Sequence, residues 1–97
     1  MTDRELLELA AKAAGIEVVT PTMLQYGKWN PLTDYGDTLQ LAASLKIDIM
    51  FRSVGGLRVE CLAPGGSVMI EHYKPGEEMH AVCRAIVRSA VAVGEGI

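Results

Sequence analysis

Residues 47–73 read IDIMFRSVGGLRVECLAPGGSVMIEHY, and this stretch decides the fold. Apolar and polar side chains alternate along it, as they do in strands that bury one face. Two turn-forming segments that contain Gly-Gly divide it into three runs. The pattern predicts a three-stranded antiparallel meander.

The first connection sets the pairing of the first two strands. A two-residue turn would place their apolar residues on opposite faces of the sheet. A three-residue loop over 54–56 instead sets Phe51 opposite Val59 and Ile49 opposite Cys61. We therefore expect this loop, with a left-handed glycine at its last position.

The second connection, residues 63–66, has proline followed by glycine, as a type II turn requires. This turn is expected to place Cys61 opposite Val68 and Val59 opposite Ile70. Both connections then direct the same apolar side chains into the core.

The opposite face of the meander is predicted to be half apolar. The expected registers place these side chains on it: Met50, Glu60 and Met69 in one row, Arg52, Arg58 and Glu71 in the next, and Leu62 and Tyr73 beside them. It is interpreted either as a solvated charge network or as a surface covered by the first helix, by residues 16–26 or by a second subunit.

Helices are predicted before and after the meander in the sequence. Thr2-x-x-Glu5 is a capping box that opens a first helix of about three turns. A last helix is expected from near Pro75 to Gly94. Its buried stripe is predicted to consist of Met79, Val82, Cys83, Ile86, Ala90 and Val93. Residues 16–26 favour either one strand or a short hairpin.

The segment WNPLTDYGD, residues 29–37, combines a tryptophan with two aspartates. Thr33 or Asp34 is expected to cap a middle helix, with Asp34 and Asp37 in its first turn. Trp29 is expected at a core edge, or in an aromatic contact patch with Tyr35.

These elements predict an α+β fold in one domain, residues 1–97. An antiparallel sheet of three to five strands, with the meander at 47–73, packs against three helices in the order α-β(β)-α-β-β-β-α. The residues predicted to take part in interactions are Trp29, Tyr35, Met50, Arg52, Arg58, Leu62, Met69 and Tyr73.

The composition argues against several functions. The net charge is −3 and the basic residues are scattered, which disfavours nucleic-acid binding. Cys61 and Cys83 are expected to be buried, reduced thiols of a cytoplasmic protein, since a secretory signal and a membrane-spanning run are not expected.

Catalytic chemistry is not expected. Cys61, His72, His80 and Cys83 are the one set that suggests zinc, but they lack the paired knuckles of structural zinc sites. The sequence also lacks a nucleophile elbow or phosphate-binding loop. We therefore predict no enzyme activity, no metal and no cofactor.

The segment WNPLTDYGDTLQLAASL, together with ELLELAAKAAGI and CRAIVRSA, resembles a family of short, uncharacterised bacteriophage and prophage proteins. The resemblance implies a phage origin and a small layered domain of the phage ABA-sandwich type, and it transfers no activity. Tyr35 stands where an acid is common in that family.

Three functions remain under consideration. The first is a non-enzymatic phage accessory protein in the bacterial cytoplasm that binds a host or phage protein, as an inhibitor of a host process, or forms a homodimer. The second is a nucleic-acid-binding module, because helix, three strands and helix match the element order of double-stranded-RNA-binding domains. The third is a small enzyme or ligand carrier.

Overall fold

The computed structural model describes residues 2–15 and 29–95. Three helices occur in these ranges: α1 (Asp3–Ala13), α2 (Tyr35–Leu45) and α3 (Glu78–Gly94). They accompany an antiparallel sheet of β1 (Asp48–Arg52), β2 (Arg58–Leu62) and β3 (Val68–His72), in the order β1-β2-β3. The predicted α+β class and meander are confirmed, while the strand or hairpin predicted at 16–26 lies outside the described residues. Within the described ranges, no helix is both long and apolar enough to cross a membrane.

The pairing of β1 with β2 follows the predicted register. Phe51 pairs with Val59, and Ile49 pairs with Cys61. The amide of Gly56 donates to the carbonyl of Ser53 at 3.3 Å, and Gly56 has a φ of 115°. Such a φ is accessible to glycine, so the glycine at the last loop position permits this pairing.

The predicted pairing of β2 with β3 is wrong by one residue. Cys61 pairs with Met69 rather than Val68, and Val59 pairs with Glu71 rather than Ile70. Since a shift of one residue exchanges the two faces of a strand, the odd-numbered positions of β3 turn towards the core and the even-numbered positions turn away from it.

The second loop explains this difference. Pro64 and Gly65 form the expected turn: the Gly66 amide donates to the Ala63 carbonyl at 3.0 Å, and Gly65 has a φ of 101°. Gly66 also has a positive φ, and the next strand contact is a bond from the Ala63 amide to the Ser67 carbonyl at 2.9 Å. The loop therefore contains three residues, as the first one does.

Helix α3 lies at the centre of the fold. It packs on β2 and β3 and also contacts α1 and α2. Buried positions therefore occur around most of its surface: Ala81, Val82, Cys83, Ala85, Ile86, Val87, Ser89, Ala90, Val91 and Ala92. The inner face of the sheet contributes Val59 and Cys61, both fully buried.

Small residues allow α1 and α3 to approach each other closely. A Cβ atom added at Gly94 would lie 2.9 Å from the Cβ atom of Ala13. This contact sets the distance between the C-terminal ends of α1 and α3.

At the other end of α1, the predicted cap is present, because the Thr2 side chain accepts from the Glu5 amide at 3.2 Å.

Candidate functional site

The sheet side that faces away from α3 is the candidate site. We call it the outer face. Its members alternate with the core-facing residues of the three strands, and they are Asp48, Met50, Arg52, Arg58, Glu60, Leu62, Val68, Ile70 and His72.

A charge network occupies the middle and one end of the outer face. Arg52 and Arg58 lie directly opposite each other, and both approach Glu60. The Nε atom of Arg58 is 2.8 Å from a carboxylate oxygen of Glu60, whereas the Nε atom of Arg52 is 3.8 Å from the other oxygen. Arg58 also donates to the carbonyl of Val54 at 2.8 Å. Arg58 is thus held in place, while the Arg52 side chain is 51% exposed and its longer ion pair with Glu60 is screened by solvent.

Apolar side chains surround this network. Val68 is 49% exposed and Ile70 is 43% exposed, and Met50 and Leu62 are half-buried. Exposed β-branched residues on two neighbouring positions of one face are unusual for a solvated sheet, where polar residues normally take these positions. The outer face therefore combines a fixed ionic centre with an accessible apolar region.

The structure places several predicted interaction residues elsewhere. Met69 and Tyr73 are on the inner side, since Met69 pairs with buried Cys61 and Tyr73 packs against the core. Glu71, predicted to balance the arginines on the outer face, instead binds Arg88 of α3 at 2.8 Å. Their placement on the outer face was wrong because the register of β3 was shifted. Trp29 is buried, as a core-edge tryptophan.

The predictions missed Val68, Ile70 and His72 on the outer face. They were missed because the predicted pairing of Cys61 with Val68 implies a loop of two residues, 64 and 65, with Gly66 already in the strand. Both loops contain Gly-Gly after one residue, Val54 in the first and Pro64 in the second. That similarity was the available signal that the two loops have equal length.

Further exposed apolar residues occur on α2 and on β1. Leu39 is 67% exposed and Tyr35 is 57% exposed, one turn apart on α2. Phe51 of β1 points to the inner side of the sheet but is 58% exposed, because α3 packs mainly on β2 and β3. A shallow groove beside Leu39 is lined by Ala42, Lys46, Ile47 and Ile49, among others.

The two aspartates of the 29–37 segment have structural roles. Asp34 caps α2 by accepting from the Asp37 amide at 2.9 Å, and Asp37 accepts from the Asn30 amide at 2.9 Å. The Thr38 hydroxyl, which is buried, bonds the carbonyl of Pro31 and that of Asp34. These bonds fix the segment against the start of the helix and explain the acids without a ligand.

The cysteines and histidines do not form a common site. Cys61 is on the inner sheet face, and the Sγ atom of buried Cys83 lies 3.3 Å from the Thr38 hydroxyl oxygen. Burial raises the pKa of the Cys61 thiol to about 11, which keeps it protonated at neutral pH and unsuited to nucleophilic attack. Across residues 2–15 and 29–95, no three potential metal ligands of the His, Cys, Asp or Glu type come together.

Comparison of the chain with protein-family models, curated proteins and solved structures found no match in any of the three.

Proposed function

We propose that this chain is a non-enzymatic accessory protein of a bacteriophage or prophage that binds a host or phage protein in the bacterial cytoplasm. Inhibition of a host process is the form of action that we propose. Support for protein binding comes from the outer face, while the phage origin depends on the sequence resemblance alone.

The observation that carries the proposal is the exposure of Val68 and Ile70 beside the network of Arg58 and Glu60. Protein interfaces combine apolar side chains, which are removed from water on association, with charged groups that select the partner and its orientation. The Glu60 side chain is only 17% exposed and Arg58 is 26% exposed, so this part of the surface is rigid before binding. A preformed surface loses less entropy on association than a mobile one.

Site-specific photo-crosslinking in bacterial cells is the direct test. A photoreactive residue at position 70 should give a discrete adduct with one protein, whereas the same residue at exposed Ser44 on α2 should not. The adduct partner, once purified, should bind the unmodified chain in calorimetry. Adducts that are equally diffuse at both positions would contradict the proposal.

Matched variants then separate the outer face from general surface hydrophobicity. Ile70→Lys should weaken binding of the purified partner at least tenfold, because it places a charge in the apolar region. Met79→Lys makes the same kind of change on α3, outside the outer face, at a residue whose exposure of 40% is close to that of Ile70, so it should leave binding unchanged. Equal effects of the two variants would argue against the outer face as the binding surface.

Nucleic-acid binding is the alternative function, and one observation favours it. Arg52, Arg58 and His72 form a row across the outer face. However, Glu60 forms ion pairs with both arginines. In addition, α3 begins at Glu78 directly after a further glutamate, where a phosphate-binding helix would have basic residues. Gel shifts with duplex and single-stranded RNA and DNA at low salt should show no tight binding. A strong complex that salt disrupts would favour this alternative.

A further inference from the structure

The two ends of the outer face carry opposite charges. Asp48, at the start of β1, is exposed and forms no ion pair with any residue in the described ranges. Arg52, at the end of the same strand, is 3.8 Å from a glutamate that Arg58 already binds at 2.8 Å. One end therefore has an unpaired carboxylate and the other an incompletely paired guanidinium.

We propose that the outer face binds the outer face of a second copy of the chain, with the strands of the two sheets antiparallel across the interface. The two-fold axis lies in the interface along the row of Met50, Glu60 and Ile70. Asp48 and Arg52 are each two residues from Met50 on the same strand and the same face. The axis therefore brings Asp48 of each copy opposite Arg52 of the other.

This arrangement is geometrically feasible. Packed sheets lie about 10 Å apart, a gap that an arginine and an aspartate side chain can bridge together. Met50 and Ile70 then face their own counterparts across the axis and are removed from water. Glu60 also faces its counterpart, but each Glu60 carboxylate is ion-paired with Arg58 of its own chain at 2.8 Å, which reduces the repulsion between them.

The alternative orientation is electrostatically unfavourable. A two-fold axis parallel to the strands would stack β1 of one copy on β3 of the other, with like ends together. Arg52 would then face His72, and Arg58 would face its own counterpart. The end with the arginines would repel itself, while Asp48 would remain unpaired.

The size of the outer face predicts a weak dimer. Three strands of five residues each cover a projected area of about 240 Å², well below the ~800 Å² that each partner buries in a stable complex. We therefore expect a dissociation constant between about 10 µM and 1 mM, and weaker association at high salt. Such a dimer would cover the surface until a tighter-binding protein displaces the second copy, and this regulatory role rests on the function proposed above.

Charge-exchange variants test the antiparallel dimer. Asp48→Arg and Arg52→Asp should each weaken association about tenfold, because each leaves two like-charged contacts in the dimer. The double variant D48R/R52D restores opposite charges at both contacts and should recover most of the affinity. Glu8→Arg changes the charge by the same amount as Asp48→Arg, but on α1 away from the outer face, so it should leave the dissociation constant unchanged.

The measurement is sedimentation equilibrium of the intact chain from about 10 µM to 1 mM at low salt, with circular dichroism to verify folding of each variant. The proposal predicts a rise from the 10.4 kDa monomer towards the dimer mass. A strict monomer at every concentration, or a double variant no better than the singles, would overturn it. Dimerisation without an adduct between position 70 and a different protein in cells would reject the proposed function but keep the dimer. An adduct with a different protein and no dimerisation would reject the dimer but keep the proposed function.

Discussion

Gly94→Ala is expected to destabilise the protein, although alanine forms helices more readily than glycine. The added Cβ atom would lie 2.9 Å from the Cβ atom of Ala13, well inside the optimal separation of about 3.5–4.0 Å. Extra atoms in a closely packed contact typically cost about 1–3 kcal/mol, whereas the helix propensity gain is at most about 1 kcal/mol. We expect a net loss of about 1 kcal/mol, which corresponds to a Tm about 5 °C lower in a domain of this size.

A second substitution isolates the cause. In an Ala13→Gly background, the nearest atoms to the new Cβ are the Cα atom of residue 13 at 3.5 Å and the Leu9 carbonyl oxygen at 3.6 Å, which are ordinary contacts. Gly94→Ala should then stabilise the protein by about 0.5–1 kcal/mol through propensity alone. Its effect on the free energy of unfolding therefore changes sign between the two backgrounds.

The assay is urea unfolding of the four proteins in this cycle, followed by circular dichroism and by the fluorescence of Trp29, the only tryptophan. Agreement between the two signals would justify a two-state treatment. If Gly94→Ala stabilised the parent chain, or had the same effect in both backgrounds, the close contact between α1 and α3 would be refuted.

Three further predictions concern the remaining parts of the fold. Asp34→Ala removes the cap of α2 and should cost about 1 kcal/mol in urea unfolding, and an unchanged midpoint would contradict the capping role. Burial raises the pKa of Cys61 to about 11, so the thiol ionises at a lower pH in the unfolded chain than in the folded one, and the free energy of unfolding should fall as the pH rises from about 9 to 11. Cys61→Ala should reduce that fall, as measured by urea unfolding at each pH. Arg88→Ala leaves inward-facing Glu71 without its ion pair, so it should lower the free energy of unfolding more than Arg84→Ala, whose partner Asp3 is 65% exposed. Equal losses of unfolding free energy would contradict this order.

The sequence predicted much of the sheet, because local chemistry determined the first hairpin. Only a three-residue loop aligned the apolar residues of β1 and β2, and the structure has this loop. The second hairpin was different, since a type II turn at Pro64 and Gly65 is compatible with Gly66 either in the strand or in the loop. Alternation alone favoured the inward placement of Ile70, and it gave the wrong answer.

Tertiary contacts account for the difference. Glu71 can face inward because Arg88 of α3 reaches it at 2.8 Å, an interaction between residues 17 positions apart that the pattern of β3 does not indicate. The number of buried positions on α3 was also underestimated, because tertiary contacts cover more of the helix than its sequence pattern indicates. Helical periodicity predicted one apolar stripe, whereas the sheet and two helices cover most of the helix. Met79, predicted in that stripe, is 40% exposed near the beginning of α3.

Nuclear Overhauser contacts between the Hα protons of β2 and β3 test the register that turns Val68 and Ile70 outward. The bonds from Ala63 to Ser67 and from Tyr73 to Leu57 mark hydrogen-bonded pairs at the two ends of the ladder. Since hydrogen-bonded and non-hydrogen-bonded pairs alternate, the closely spaced pairs that give strong Hα–Hα contacts are Leu62–Val68, Glu60–Ile70 and Arg58–His72. These contacts are predicted; strong contacts joining Glu60 to Met69 or Arg58 to Glu71, the closely spaced pairs of the register shifted by one residue, would contradict the register, and with it the proposed outer face.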